Sequence, residues 1–340
     1  MKQTIRLFLL LTIFANLFYS CSTDVDLFAD YKDITVVYGL LDVNKDTNYV
    51  KINKAFLGPG NALDIALIAD SCNYPTKLNS RIIEYVASNN SNNYTQTRVL
   101  ELDTITIHDK EPGIFYSPNQ LVYFTKEKIH NNTDRHKYRY DLEIDRGDTL
   151  LTASTHIVGG GYFAVVQSIL NFSSLSTQGV ISWYPCPNSA IYDVEVDFHY
   201  YEIGSSADSV LHVVRIPLGT HPETELAFED GIYSIVYNHS LFLNAIADEI
   251  GADSLLNVER VVFEPCMKIK ISAGGDELYN FISVNGPTNS IVQTIPEYTN
   301  VTGGYGVFSS RTTIEKKVRL SSQTFVDLRN RENWHFRQGR

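Results

Sequence analysis

The chain is 340 residues long, 44% hydrophobic and 20% charged, with a formal net charge of −11 and four cysteines. That much apolar material supports packed cores and excludes a disordered chain. The negative charge repels phosphate backbones and anionic lipid alike, which argues against nucleic acid as a partner and against electrostatic attachment to a membrane.

The N-terminus carries Lys2 and Arg6, then an apolar run from Leu7 to Leu17 broken only by Thr12 and Asn16. A basic start, a short apolar run and a small residue before a cut site make a secretory signal peptide; a bilayer span needs about 20 apolar residues. The small residue is Ser20, and Cys21 follows it. This arrangement is similar to a bacterial lipobox, in which lipid joins the cysteine thiol and the chain is cut between Ser20 and Cys21. Phe18 stands where a lipobox prefers an aliphatic residue, and bulky Tyr19 comes next. On this reading residues 1–20 are a lipoprotein signal peptide and 21–32 an acidic tether, with Asp24, Asp26 and Asp30 opposed by Lys32. The tether resembles the export signal of lipoproteins that face the cell exterior from the outer membrane; the alternative is a periplasmic face.

The remainder is mainly β, in two tandem sandwiches. Stretches rich in Val, Ile, Tyr, Phe and Thr are separated by Asn, Gly, Asp and Ser clusters. The predicted strands of a first domain (33–158) are Ile34–Leu41, Tyr49–Phe56, Arg81–Val86, Thr97–Ile107, Leu121–Phe124 and Tyr138–Ile144. The last of these turns through Asp145–Asp148 into Thr149–Thr155. Residues 61–70 read as a helical turn in a long loop. Val158-Gly159-Gly160-Gly161 marks a boundary.

A second domain (159–322) restarts with strands at 162–170 and 179–185, then 190–203, 209–218, 258–273 and 303–320. One helix is predicted at 239–250, with Phe242, Ala245, Ile246 and Ile250 on one stripe, Ser240 as N-cap and Gly251 as stop. Residues 275–286 read equally as a short helix, with Leu278, Phe281 and Ile282 inward, or as a strand. Residues 323–340 form a C-terminal extension.

Past Cys21 the cysteines are Cys72, Cys186 and Cys266, an odd number that permits one internal bridge. Cys186 and Cys266 both lie beside prolines in turn-like stretches and are the expected pair if one forms. No C-x-x-C spacing points to a structural metal.

Catalytic signatures are absent: no G-x-S-x-G, no H-E-x-x-H, no phosphate loop. The sequence assigns no catalytic residue, no metal and no cofactor, and leaves the ligand-binding residues unknown. His130, Asp134 and His136 stand within seven residues, but Arg135 and Lys137 beside them would repel a cation, so polar loop decoration is the better reading. Glu195 and Asp197 share a strand face, and Asp248 and Glu249 end a helix; strand alternation produces such pairs without function. The 21 tyrosines and 17 phenylalanines against two tryptophans say more. In Phe198-His199-Tyr200-Tyr201 neighbouring rings alternate faces, so one of them meets solvent or a partner.

Taken together, the lipobox, the "VVYGLL" first strand, "YRYDLEI…TLLTAST", "GVISWYP…AIYDVEV" and the closing "PEYTNVTGGYGVFSS" with Gly303, Gly304, Gly306 and Phe308 resemble an uncharacterised family of two-domain Bacteroidota lipoproteins. The resemblance implies immunoglobulin-like or related β-sandwiches and genes beside TonB-dependent outer-membrane transporters. It carries no established activity and no site residues. The expectation is therefore a non-enzymatic binding or accessory lipoprotein of the outer membrane, partnered by its lipid, by a TonB-dependent barrel and by a carbohydrate or peptide ligand. The alternatives are a fimbria-like structural or adhesive protein and, less favoured, an envelope hydrolase.

Overall fold

The computed structural model describes residues 32–57, 61–160, 163–173, 178–204, 209–251, 258–286, 297–331 and 333–339. Ser20 and Cys21, with the whole leader, lie outside the described residues. The fold is mainly β, with 51% of the described residues in strands and 15% in helices.

β1 (Lys32–Asp42) and β2 (Asn48–Leu57) form an antiparallel hairpin. Asn48 closes it by accepting the Asp42 N–H at 2.7 Å. Two short helices follow, α1 (Ala62–Ala66) and α2 (Ala69–Cys72). The first half is completed by β3 (Asn79–Ser88), β4 (Thr95–Glu101), β5 (Asp103–Ile107), β6 (Gln120–Thr125), β7 (His136–Asp145) and β8 (Leu150–His156).

The second half begins with β9 (Ile169–Leu170), β10 (Gly179–Trp183), β11 (Ile191–Ile203), β12 (Ser209–Pro222), β13 (Ala227–Glu229) and β14 (Ile232–Tyr237). It ends with α3 (Ser240–Ile250), β15 (Glu259–Val262), β16 (Met267–Gly274), α4 (Asp276–Asn285), β17 (Tyr305–Leu320), α5 (Ser322–Arg329) and β18 (Phe336–Gln338).

One sheet of eleven strands runs through both halves in the order β18-β15-β11-β16-β17-β1-β2-β6-β5, with β12 on β11 and β9 on β17. The halves join where β1 lies parallel to β17, Gly39 opposite Phe308. A four-stranded sheet (β4-β3-β7-β8) and a three-stranded sheet (β10-β14-β13) complete the layers. Apolar residues at every second position make these layers sandwiches. Val37, Leu41, Val50, Ile52 and Phe308 of the large sheet pack with Ile82, Tyr140, Leu142 and Leu151 of the four-stranded sheet. Val194, Val196, Phe198, Ile269, Ile271 and Val318 pack with Ile181, Trp183, Tyr233 and Ile235 of the three-stranded sheet. Phe308 and Val318 have the same parity on β17, so both small sheets cover one face of the large one.

Ile157 belongs to the first core and Val158 to the second, while Val301 and Phe308 return from the far end of the chain to the first. Of the strand expected at 162–170, the described residues 163–170 form β9 and a bridge from Val165 to Trp183 instead of a long strand. The backbone there is divided: Val166 N–H donates to Ser182 on the small sheet, and the Ser168 carbonyl accepts from Arg319 on the large one. Residues 275–286 resolve to a helix, yet Ile282 is 45% exposed and α4 buries no side chain fully. In α3, Phe242, Ile246 and Ile250 face inward. Ser240 is its first residue and not its cap; Asn238 Oδ1 accepts the Ser240 N–H at 3.1 Å. The final stretch adds Leu328 and Phe336 to the second core.

Candidate functional site

Among the described residues, the reverse face of the large sheet carries no second sheet over β1 and β2. Alternation sends Val36 and Tyr38 of β1, and Lys51 and Asn53 of β2, to this face, because Val37, Val50 and Ile52 are needed on the other. Lys51 lies across from Tyr38 and Asn53 from Val36. α1, α2 and the 108–120 loop cover this face in part, leaving Tyr38 43% exposed.

Backbone bonds fix the roof. The Tyr116 N–H donates to the Ala66 carbonyl at 2.8 Å, tying the loop to α1. Asn53 Nδ2 donates to the Cys72 carbonyl at 3.0 Å, tying α2 to β2. The buried Cys72 thiol donates to the Ala66 carbonyl at 3.2 Å, so its hydrogen is committed within the roof. Beneath lies a cavity of about 290 Å³ whose lining includes Val36, Tyr38, Lys51, Asn53, Phe115 and Tyr116, together with Lys54 and Lys110.

The charges here do not cancel. Lys54 meets Asp33 at 3.5 Å, and Lys110 Nζ donates to the Tyr116 carbonyl at 2.6 Å. Lys51 makes no ion pair and no side-chain hydrogen bond among the described residues. Burial, then the positive charge of Lys110, push its pKa below the ordinary lysine value of 10.5. Beside it, Asn53 Oδ1 is buried and accepts no hydrogen bond. An unmatched ammonium and an unmatched acceptor in one aromatic-walled cavity call for an anion that also carries a hydrogen-bond donor.

The residues singled out by sequence are placed elsewhere. Cys72, Cys186 and Cys266 are all free and buried, and the bridge expected between Cys186 and Cys266 is not made. Geometry forbids it. Cys266 adjoins Met267, which pairs with Phe198; Cys186 precedes Ile191, which pairs with Gly274 at the other end of the same ladder. Seven strand steps separate the ends, about 23 Å, against roughly 6 Å between bridged Cα atoms. The Cys186 N–H donates to the Tyr192 hydroxyl at 2.9 Å, which holds Cys186 at the far end. Burial pushes both thiols up, with Glu223 near Cys186 and Glu264 near Cys266 adding to it, so neither is an activated nucleophile.

His130 turns from Asp134 and His136 to Glu84, with Nδ1 2.9 Å from Oε2. No group of three or more His, Cys, Asp or Glu is placed to hold a metal among the described residues. Glu195 and Asp197 do share a face, in an ion-pair ladder across β11, β12 and β16. Lys270 lies 3.0 Å from Glu195 and 2.8 Å from Asp197, Lys268 lies 3.3 Å from Asp197, and Arg215 lies 3.1 Å from Glu195. Burial raises Asp197, but Lys270 and Lys268 outweigh it and hold the carboxyl below the usual range. In "FHYY", Phe198 and Tyr200 fill the core, whereas Tyr201 meets half-exposed Phe263 edge to face at 5.7 Å.

The Lys51 cavity was missed by sequence reasoning. The alternation of "YVKINKAF" does put Lys51 and Asn53 on one face; that 61–73 and 108–120 fold over this face leaves no periodic trace. No protein-family model matches the chain, and no curated protein matches it. No helix among the described residues is long and apolar enough to cross a membrane, which says nothing about β-barrels.

Proposed function

We propose that this protein is a non-enzymatic, lipid-anchored outer-membrane lipoprotein that captures a small hydroxylated organic anion, of the acidic-sugar class, in the Lys51 cavity. The observation that carries the reading is Lys51 itself: an uncompensated ammonium under an aromatic roof, in a chain of net charge −11. A carboxylate on Lys51 would supply its missing partner, a hydroxyl would satisfy Asn53 Oδ1, and Tyr38, Phe115 and Tyr116 offer apolar walls. A charge-assisted hydrogen bond contributes about 1.5–3 kcal/mol, roughly ten- to hundredfold in affinity.

Isothermal titration with glucuronate, galacturonate and N-acetylneuraminate, against glucose and galactose, tests this. The acids bind, the neutral sugars bind at least about tenfold more weakly, and Lys51→Met removes the difference. Affinity for the acids falls as pH rises through the lowered Lys51 pKa, because only the ammonium form attracts them. Equal binding of acids and neutral sugars, or none by either, overturns the reading.

The anchor rests on Ser20-Cys21 at the end of the apolar leader. Cys21→Ala releases the protein from membranes or leaves the leader attached; unchanged membrane association with a mature, unmodified N-terminus refutes the lipobox. Delivery to a TonB-dependent barrel follows from the resemblance, and mild-detergent co-purification through a C-terminal tag tests it.

A further inference from the structure

β12 has one strand partner, β11, and its other edge is unpaired among the described residues. The register fixes which backbone groups that edge presents. Val213 stands opposite His199, and the His199 N–H donates to the Cys266 carbonyl at 2.8 Å, on the far side of β11. In an antiparallel ladder a residue turned away from its neighbour belongs to a non-hydrogen-bonded pair, so Val213 also turns its N–H and C=O away from β11. Leu211 and Arg215, two residues to either side, share that orientation. Pro217 has the same parity and no N–H to offer, which suits an outward edge position.

The open edge is not flat against solvent. α3 runs beside it, pinned to the core by Phe242, Ile246 and Ile250. A cavity of about 540 Å³ separates the two, with Val213 and Arg215 on the strand side and Leu241, Ala245 and Asp248 on the helix side. Its charge is one-sided. Arg215 is already matched by Glu195 at 3.1 Å, whereas Asp248 has no partner among the described residues. The C-terminal end of α3 adds partial negative charge there.

We propose that this groove binds an extended peptide as an added strand. The peptide takes backbone hydrogen bonds from Val213 and Arg215, sets apolar side chains against Leu241 and Ala245, and places a lysine or arginine at Asp248. Main-chain pairing supplies affinity, and alternate side chains supply selection.

The test is fluorescence anisotropy of the full mature chain with a fluorescein-labelled heptapeptide of alternating valine and lysine. Saturable binding is expected, and about tenfold weaker binding for the valine–glutamate counterpart and for the lysine peptide N-methylated along one backbone edge. Val213→Pro deletes an N–H that β11 does not use, and lowers affinity about tenfold or more. Asp248→Arg, an exposed helix position, does the same without touching the sheet. No saturable binding, or binding indifferent to N-methylation and to Asp248→Arg, overturns the proposal. So does a dimer, seen by sedimentation, that Val213→Pro dissolves while the peptide fails to bind, since the edge would then serve a second copy of the chain.

Discussion

Glu84 on β3 has a side chain only 2% exposed and four partners around it. Arg98 donates at 2.6 and 3.0 Å, Thr97 Oγ1 at 2.8 Å, the Tyr140 hydroxyl donates as well, and His130 Nδ1 lies at 2.9 Å. Burial alone would raise the carboxyl; the bonds from Arg98, Tyr140 and Thr97 outweigh it and hold the pKa at about 2. A folded-state value below the ordinary 4.5 means the stabilisation is complete above pH 4.5 and lost as pH falls toward 2. The gap corresponds to about 3 kcal/mol. Urea titrations from pH 7 to pH 2 should show this loss, and Glu84→Gln should remove the share of the acid dependence that Glu84 contributes while costing about 3 kcal/mol at pH 7. The sequence held a signal for this: in "RIIEYV" Glu84 has the parity of Ile82, a core position. The partners were not legible, because Arg98, His130 and Tyr140 lie 14, 46 and 56 residues away in the chain. The β3–β4–β7 pairing brings in Arg98 and Tyr140, and the loop before β7 brings in His130, whose N–H donates to the Tyr140 hydroxyl at 2.8 Å.

Among the elements, β17 is the one on which the architecture turns. It spans sixteen residues, pairing with β16 along its second half and with β1 along its first. At Gly306 the backbone has φ of +109°, and a Cβ would stand 1.9 Å from the Val37 carbonyl oxygen. Gly306→Ala therefore costs on the order of 3 kcal/mol or more, since both the conformation and the close approach to β1 forbid a methyl group. Gly113→Ala, where a Cβ meets nothing within 4 Å, stays within about 0.5 kcal/mol. Denaturant midpoints of the two variants, measured side by side, decide the matter. Most strands were legible from β-branched and aromatic alternation, as in "ITVVYGLL" and "YRYDLEI". Their pairing was not: β1 and β17 meet across more than 260 residues, and nothing local marks a parallel contact of that span.

For the whole molecule, the consequence is that the first core is not closed by the first half of the chain alone. The glycines after Val158 mark where the chain leaves the first core, but Val301 and Phe308 come back to fill it. A fragment of residues 32–158 would lack those side chains and the β17 flank of β1, exposing Val37 and Leu151, both fully buried in the intact chain. Such a fragment is expected to melt without a cooperative transition and to bind hydrophobic dyes, whereas the full chain melts cooperatively; a stably folded fragment would contradict this. The same parallel contact has a mechanical meaning. β1 is the first described element, held by β2 on one side and β17 on the other. Force applied to the chain just ahead of Lys32 acts along the strand, so it loads both rows of hydrogen bonds together in shear instead of peeling them open singly. The point at which any upstream leash would tug on this protein is thus braced between its two halves.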